Sequence, residues 1–440
     1  MTAEIAVLNK SAVALATDSA VTISAGDRAL KIYESADKLF EMSQVQPIGV
    51  MIYNGMQFLG VPIDTIIKEF RRRVGKFDTV EEAAGAFLQH LYEYVDEAPD
   101  EEISKCISAV VSPIVEEISQ KIGDSVLQQL NEGEPPSSKE EFAEFTKRAS
   151  DSVLKQYEDV VGSLDEAKLL PRKDKKAQAA KYRKLTEDAV RGSIRGFAVS
   201  DSARIVKIAL KLLRSNHISG AKTGMVFAGF GENERFPTLI SYEIDGVFEA
   251  KIRYLQTDQC DIDRNGVRAY VRPFAQKDMV DRFLHGLDDR LRRDITRYCE
   301  ETVGRISEGI IGSINFEDED EGTKLRKLAS AAQDAFIRNL NDEAFKSFKD
   351  RSRREIEDMV EFMPKPELAK MAEALIDLTS IKRKVSQGLE TVGGPVDVAV
   401  ISKSDGFVWV KRKHYFPGEL NHRYLERVSM VLECKQEGEK

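Results

Sequence analysis

The chain has 440 residues, of which 42% are hydrophobic and 32% charged, and its formal net charge is −9. This length allows two or three domains, and the hydrophobic fraction suffices for a packed core. The negative charge argues against a general nucleic-acid binder, because phosphate binding needs an excess of positive charge. No apolar run approaches the roughly 18 residues of a membrane-spanning helix. Neither pairing nor metal-ligand spacing links the cysteines, so we expect reduced thiols in a cytoplasmic protein; they are Cys106, Cys260, Cys299 and Cys434.

The first eighteen residues predict a β-hairpin with a candidate nucleophile at its start. Residues 3–8 and 11–17 alternate apolar and small side chains, with a turn between them. Removal of Met1 would leave Thr2 with a free α-amine beside its own hydroxyl, a nucleophile and a base in one residue. An α-amine has an unperturbed pKa of roughly 7.7–8.0, so part of it is free base near neutral pH. The hairpin would return Asp18 to the neighbourhood of Thr2.

The next stretch predicts a second pair of strands followed by two helices. Strands are expected at residues 38–42 and 48–53. Residues 63–74 then carry apolar side chains at helical spacing, with arginines near the end, where cations suit the helix dipole. A second helix is expected from Thr79, which forms a capping box with Glu82. This order predicts a sheet covered by a helical layer.

Three segments of this half resemble proteasome β subunits and the bacterial heat-shock-locus peptidase, which are N-terminal nucleophile (Ntn) hydrolases. Residues 11–22, SAVALATDSAVT, look like the family's aspartate-bearing strand, and Asp18 has the family's sixteen-residue spacing from the terminal threonine. Residues 35–42, SADKLFEM, resemble the block that carries the active-site lysine, here Lys38. Residues 47–55, PIGVMIYNG, stand where the family has its paired glycines.

Further resemblance lies in the second half. Residues 222–230 predict a strand, and residues 238–244 and 247–254 predict a hairpin that turns at Asp245-Gly246. This order is similar to the middle strands of the family. Residues 392–401, VGGPVDVAVI, look like the family's SGGxVxVxxI segment.

The resemblance divides the chain into a core interrupted by two charged, helical stretches. Residues 96–215 and 288–365 are expected to be helical insertions, and residues 413–440 a polar tail. The resemblance implies an α+β fold: a four-layer αββα sandwich of two antiparallel sheets, with helices outside. The expected core segments are residues 1–95, 216–287 and 366–412.

The resemblance also implies a role for four residues. Thr2 would attack an amide or other acyl carbon, while its α-amine takes the hydroxyl proton and returns it to the leaving amine. A protonated Lys38 would lower the pKa of both groups, and Asp18 would hold Lys38 in place. A backbone N–H at or near Gly55 would stabilise the oxyanion. No cofactor or metal is expected.

Other family residues are replaced here. The serine before the family's third helix is replaced near Gln276, and an Asp and a Ser are replaced around Glu390 and Val392. Because these partners orient the terminal amine in the family, two functions stay open. One is a threonine peptidase or amidohydrolase, including an acylase acting on a small amide; the other is an inactive proteasome-like binding or assembly module.

The expected partners follow from the same resemblance. They are a peptide or amide substrate and further copies of this chain in a homo-oligomer. Because the sequence has no nucleotide-binding motif, any unfolding ATPase would be a separate chain. Neither nucleic acid nor a membrane is an expected partner.

Overall fold

The computed structural model describes residues 2–25, 28–132, 136, 138–167, 179–314, 316, 319–386, 392–414, 416–417, 420–423 and 426. The strands within these ranges are β1 (Ala3–Asn9), β2 (Val13–Thr17), β3 (Val21–Ala25), β4 (Arg28–Tyr33), β5 (Leu39–Glu41), β6 (Ile48–Asn54), β7 (Gln57–Phe58), β8 (Val61–Pro62), β9 (Thr223–Gly229), β10 (Thr238–Phe248), β11 (Lys251–Asp261), β12 (Ala269–Ala275), β13 (Asp397–Ser402) and β14 (Gly406–Lys411). The helices are α1 (Ile63–Arg73), α2 (Val80–Glu97), α3 (Asp100–Glu132), α4 (Lys139–Gly162), α5 (Ala179–Ser193), α6 (Ser202–Arg214), α7 (Asp278–His285), α8 (Asp289–Gly312), α9 (Glu319–Asn339), α10 (Lys346–Val360) and α11 (Lys365–Lys384).

Ten of these strands form two five-stranded antiparallel sheets. The first sheet has the order β12-β1-β2-β13-β14, and the second has the order β11-β10-β9-β6-β5. Two short hairpins, β3-β4 and β7-β8, stand apart from them. The expectation of a mixed α and β chain built on antiparallel sheets is confirmed at this level.

One apolar cluster lies between the two sheets. It contains Ala6, Leu8 and Leu15 from the first sheet and Met51 and Val226 from the second. Because successive side chains of a strand point to opposite faces, every second residue of β1 faces the other sheet. The inner face of β1 therefore includes the position of residue 4.

Helices cover the outer face of each sheet. On the first sheet, Ile5 and Val7 pack with Leu368 and Ala372 of α11. The largest cluster joins the outer face of the second sheet to α1–α6. The helical stretch at 96–215 thus shares this core instead of forming a separate body, and its status as an insertion stays a prediction.

The start of α2 matches its expected capping box in one half. The Thr79 hydroxyl accepts a hydrogen bond from the N–H of Glu82 at 3.1 Å. The Glu82 carboxylate accepts from the N–H of Asp78 at 3.0 Å rather than from that of Thr79. The Thr79 bond satisfies a backbone donor that the helix itself leaves unpaired, whereas the Glu82 bond fixes the residue before the cap.

The predicted turn at Asp245-Gly246 is wrong, because β10 continues through it as a bulge. The register shifts between Ile244 and Val247, and the chain turns instead at Glu249 and Ala250, with φ of 51° and 57°. A buried ion pair between Asp245 and Arg253 holds the bulge in the sheet. The local preference of Asp245-Gly246 for a turn is thus outweighed by the tertiary contact between Asp245 and Arg253.

The second charged stretch is helical, as expected, and forms α8–α10. A π-helical turn at Leu340–Phe345 joins α9 to α10. Large apolar side chains on these helices stay exposed, among them Tyr298 at 65% and Leu328 at 68%. None of the helices that the structure describes is both long and apolar enough to cross a membrane.

Candidate active site

The β1–β2 hairpin brings the start of β1 beside Asp18. Asn9 closes the turn, because its Oδ1 accepts hydrogen bonds from the backbone N–H groups two and three residues later, at 2.9 and 3.2 Å. From this turn the register pairs Glu4 with Thr17. The next pair sets Ala3 against Asp18, whose N–H donates to the Ala3 carbonyl at 3.0 Å. The candidate nucleophile therefore lies one residue from Asp18.

Asp18 is fully buried and connects three segments through its carboxylate. Oδ1 accepts hydrogen bonds from the N–H of Ala3 at 3.2 Å and from Nζ of Lys38 at 2.5 Å. Oδ2 accepts from the N–H of Gly393 at 3.1 Å, in the loop before β13. Hydrogen bonds to an ionised carboxylate are the stronger kind, so Asp18 fixes these segments relative to one another.

Lys38 directly precedes β5 of the second sheet, and its side chain reaches across to the first sheet. Its carbonyl accepts a hydrogen bond from the N–H of Ile52 at 2.9 Å, which fixes it beside β6. Its side chain is fully buried, with Nζ 2.5 Å from Asp18 Oδ1 and 3.8 Å from Glu4 Oε1. A buried ammonium group needs a paired anion, so the burial of Lys38 depends on its ion pair with Asp18.

Glu4 is a third charged residue of this cluster, and our sequence reasoning missed it. It is fully buried, and burial raises its pKa to about 8, although Lys38 lowers the pKa and Asp18 raises it further. Burial thus favours the protonated form of Glu4. The signal was present in the sequence as a single charge within an apolar strand, a rare placement for a carboxylate without a partner.

Gly55 does not fit the oxyanion role that the sequence suggested. Its N–H donates to the carbonyl of Lys222 at 3.1 Å, on the β9 side of β6. The absence of a side chain has another reason, because a Cβ here would lie 2.3 Å from Thr223 Oγ1. The preceding residue, Asn54, has a φ of 68°.

The positions of the replaced family residues have different surroundings. Gln276 supports the start of β1 through its backbone, since its N–H donates to the Thr2 carbonyl at 3.2 Å. Its side-chain oxygen accepts a hydrogen bond from Arg383. Val392 is fully buried and packs in the cluster under α11. Glu390 lies outside the described residues.

A cleft of about 340 Å³ opens where β6, β10, β11 and β12 converge. Phe274, Ala275 and Gln276, at the end of β12, form one wall of it. Ala275 pairs with Ala3 of β1, and the Gln276 N–H binds the Thr2 carbonyl. The cleft therefore begins next to the residue predicted as the nucleophile, although Thr2 does not line it.

Two ion pairs line this cleft. Lys222 Nζ lies 2.8 Å from Glu243, and Arg272 Nε lies 2.8 Å from Asp258. The Tyr53 hydroxyl donates to Glu243 at 3.2 Å. Each of these two cations has its own carboxylate, so the walls are polar without a strong excess of either sign.

Larger hollows lie elsewhere, on the helices. One of about 500 Å³ lies between α8 and α9, and one of about 700 Å³ lies along the π-helical turn and α10. Both are open grooves lined by helix side chains, and neither contains a residue of the Thr2 cluster. Among the described residues, no group of three or more His, Cys, Asp or Glu could hold a metal ion.

Comparison with known proteins adds little to this geometry. Neither a protein-family model nor a curated protein matches this chain. Among solved structures, the chain is similar to the Anbu (Gly-1) mutant from Hyphomicrobium sp. strain MC1, with 8% identity and a TM-score of 0.25. That match covers 98% of this chain and 97% of the other. Function therefore has to be argued from the residues of this chain.

Proposed function

We propose that this chain is an N-terminal threonine hydrolase that cleaves a peptide or other amide through Thr2. The observation that carries the proposal is the buried ion pair of Lys38 with Asp18, fixed against the first residues of β1. We further infer that the two sheets and their helices form the four-layer αββα sandwich of Ntn hydrolases.

The energetics of this pair support a functional role. Removing two charges from water costs several kcal/mol per ion, so a buried pair is weak evidence of stabilisation. An apolar pair of similar volume would serve the core at least as well. An ammonium beside Thr2, in contrast, favours an alkoxide at Oγ1 and an unprotonated α-amine. Chemistry at Thr2 therefore gives a reason for Lys38 that packing does not.

The proposed reaction begins once Met1 has been removed. The Thr2 α-amine takes the Oγ1 proton, Oγ1 bonds to the carbonyl carbon, and the carbonyl electron pair moves to oxygen. Collapse of this intermediate breaks the C–N bond, and the amine proton goes to the leaving group. Water then hydrolyses the ester, with the α-amine again as base.

Asn54 replaces Gly55 as the proposed oxyanion donor. Backbone N–H groups of a strand alternate between its two sides. The Ile52 N–H points to the Lys38 carbonyl and the Gly55 N–H to the β9 side. The Asn54 N–H accordingly faces the Lys38 side, where β5 has not yet begun. Losing one such donor typically costs on the order of 10²–10³ in rate.

Backbone strain at the cleft also supports this assignment. Asn54 and Ala275 both have left-handed φ, 68° and 57°, and both line the cleft beside Thr2. Residues other than glycine adopt this conformation at an energetic cost and cluster at functional sites. We therefore assign the cleft as the binding site of the amide substrate.

The test is intact-mass analysis of the purified full chain, before and after treatment with an epoxyketone or a β-lactone. We expect loss of Met1 and a single adduct on Thr2 that is absent in Thr2→Ala. Thr65→Ala, an ordinary threonine of α1, serves as the matched control and should react like the wild type. A chain that retains Met1 would contradict the mechanism, because no free amine would exist at Thr2.

A binding or assembly module is the second candidate, and one observation favours it. The Thr2 residue is only 5% exposed, and its Oγ1 has no solvent contact in the described structure. A nucleophile must be reached by its substrate. A fully processed chain that forms no adduct with either electrophile would support this second function.

A further inference from the structure

Glu4 is the one charged residue on the inner face of β1, and it lies beside the predicted nucleophile. We propose that Glu4 is a positioning residue for Thr2: its carboxylate accepts hydrogen bonds from the α-amine and hydroxyl and holds both toward the cleft. This inference rests on the proposed function and names a residue for which the resemblance supplies no counterpart.

Strand geometry places the two side chains together. Residues two apart in a strand project from the same face, so Glu4 faces the second sheet, as Ala6 and Leu8 do. Thr2 directly precedes β1, and its hydroxyl interacts with the Glu4 carboxyl group. Glu4 pairs with Thr17 across the hairpin, which puts a second hydroxyl on that face. Thr2, Glu4 and Thr17 therefore form a polar patch next to the apolar core between the sheets.

The buried polar atoms of this patch have unused hydrogen-bonding capacity, which supports their binding the free amine of Thr2. Both carboxylate oxygens of Glu4, Thr2 Oγ1 and Thr17 Oγ1 are buried and make no hydrogen bond of good geometry within the described residues. The Thr2 hydroxyl nevertheless lies close enough to the Glu4 carboxyl group to lower its pKa. Buried polar groups are almost always paired, and each exception requires an explanation. Lys38 forms only a long ion pair with Glu4, since its Nζ lies 3.8 Å from Glu4 Oε1 and donates its hydrogen bond to Asp18 at 2.5 Å. A free amine on Thr2 would supply N–H donors on this side of β1.

The charges around Glu4 come from each element that packs against it. Asp18, after β2, opposes ionisation of Glu4, whereas Lys38, before β5, favours it. Tyr53 of β6 faces it as a neutral phenol, because burial raises the Tyr53 pKa. On the other side β12 contributes the apolar Phe274. The cluster thus contains one firm ion pair and one carboxyl group whose charge depends on what Thr2 presents.

A protonated amine at Thr2 would convert this carboxyl group to its ionised form. The added cation favours the carboxylate, and the carboxylate in turn favours the ammonium. Glu4 would therefore raise the pKa of the Thr2 amine while orienting it. Lys38 acts in the opposite direction on that amine, so the two residues together set the pH at which it becomes a base.

The first test follows the rate of Thr2 modification by a β-lactone in the full, processed chain from about pH 5 to about pH 9, which brackets the ordinary amine pKa. In Glu4→Gln we expect the rate to fall by about 10²-fold, the size of effect that misplaced reacting groups produce. The rising part of the pH profile should also move to lower pH, because the amine loses a neighbouring anion. A merely structural role would lower yield or stability without moving that profile.

Glu41→Gln is the matched control. The Glu41 carboxyl group is also partly buried, on β5, but it pairs with Arg71 at 3.5 Å and does not face Thr2. This variant should keep the wild-type rate and profile. If Glu4→Gln also keeps them, Glu4 is not a positioning residue and the proposed function stands without it. If the wild type itself forms no adduct, the proposed function and this inference both fail.

A second measurement does not depend on reactivity or on the folding of a variant. The carboxyl carbon of Glu4 is titrated by NMR in carbon-13-labelled protein, once with Met1 removed and once with Met1 retained. We expect Glu4 to titrate at lower pH in the processed chain, because the amine has moved one residue closer. Equal titration in both chains would overturn the inference.

Discussion

Two buried ion pairs of the described residues, Asp245–Arg253 and Asp18–Lys38, differ in their surroundings. Asp245 has hydrogen bonds on both oxygens: Ser219 donates its N–H at 2.9 Å and its hydroxyl at 2.5 Å, and Arg253 donates Nη1 at 2.7 Å. This pair lies at the bulge of β10, and none of its residues lines the cleft. These contacts indicate a structural role, which is to fix the path of the backbone at the bulge.

The second pair has polar neighbours that the protein itself leaves unpaired. Lys38 binds Asp18, but the carboxyl group of Glu4 and the hydroxyl of Thr2 have no hydrogen-bond partner among the described residues. A half-satisfied polar cluster is a poor way to stabilise a core. Arg253 Nε is also buried without a hydrogen-bond partner, so an unpaired buried atom alone does not mark a functional site. The second pair differs in its position, because its unpaired neighbours Thr2 and Glu4 lie at the start of β1, next to the cleft.

The largest expected effect is on stability, at the pair that we regard as structural. Arg253→Met leaves the Asp245 carboxylate buried without its cation, which typically costs about 3–5 kcal/mol. Urea unfolding should report this loss. The folded molecules should still modify Thr2 at the wild-type rate, and a large drop in that rate would remove the distinction between the two pairs.

Lys38→Met should act chiefly on reactivity. Without the ammonium, the Thr2 alkoxide loses its stabilising charge, and we expect modification by a β-lactone to slow by about 10²–10³-fold. Lys411→Met provides the control, because Lys411 pairs with Glu373 at the surface, where an ion pair contributes only about 0–1 kcal/mol. Rates are compared per folded molecule, and an unchanged rate in Lys38→Met would count against a catalytic Lys38.

The pH dependence of stability sharpens the comparison at Glu4. The unfolded carboxyl group has a pKa of 4.5, and burial raises the folded value to about 8. The folded state therefore holds a proton that the unfolded state has lost between these values. With Met1 retained, stability is full below pH 4.5, falls by roughly 1.4 kcal/mol per pH unit across this window, and levels off above it.

Glu4→Gln should remove this slope, and urea unfolding at several pH values across the window is the measurement. Glu81→Gln, on the exposed face of α2, is the control and should keep the wild-type slope. Parallel pH profiles for the wild type and Glu4→Gln would mean that Glu4 titrates alike in the folded and unfolded chains. That outcome would contradict the burial on which its role depends.

Local sequence patterns predicted much of the local structure that positions the candidate site. The hairpin that carries Asp18 and the cap at Thr79 follow from alternation and capping chemistry, which act within a few residues. The turn expected at Asp245-Gly246 failed, because the partner of Asp245 lies on the next strand. The oxyanion donor expected at or near Gly55 stays a prediction. Local sequence could not choose the residue, because the side of β6 to which an N–H points depends on the pairing of β6 with β9.

Glu4 shows why the site could be predicted only in part. Its place in an apolar strand is visible in the sequence, but its burial depends on the second sheet that covers it. A strand with one polar residue on its inner face is equally compatible with an exposed edge. The charge state of such a residue is a property of the assembled sheets, and no local pattern encodes it.

The smallest expected effect comes from relieving backbone strain, and it compares a strained residue at the cleft with one elsewhere. Ala275 and Ala250 share a left-handed φ of 57°, but only Ala275 lines the cleft. Glycine at either position relieves about 1–2 kcal/mol of left-handed strain and loses about 0.5–1 kcal/mol to the greater entropy of its unfolded chain. Both variants should therefore gain a few tenths of a kcal/mol up to about 1 kcal/mol in urea unfolding.

Reactivity should distinguish these two variants. Ala275 pairs with Ala3, so a looser backbone at this position frees the first residues of β1 and should slow the modification of Thr2 several-fold. Ala250 closes the β10–β11 turn, and Ala250→Gly should leave the rate unchanged. Equal rates in the two variants would mean that the strain at Ala275 belongs to the turn after β12 and does not position Thr2.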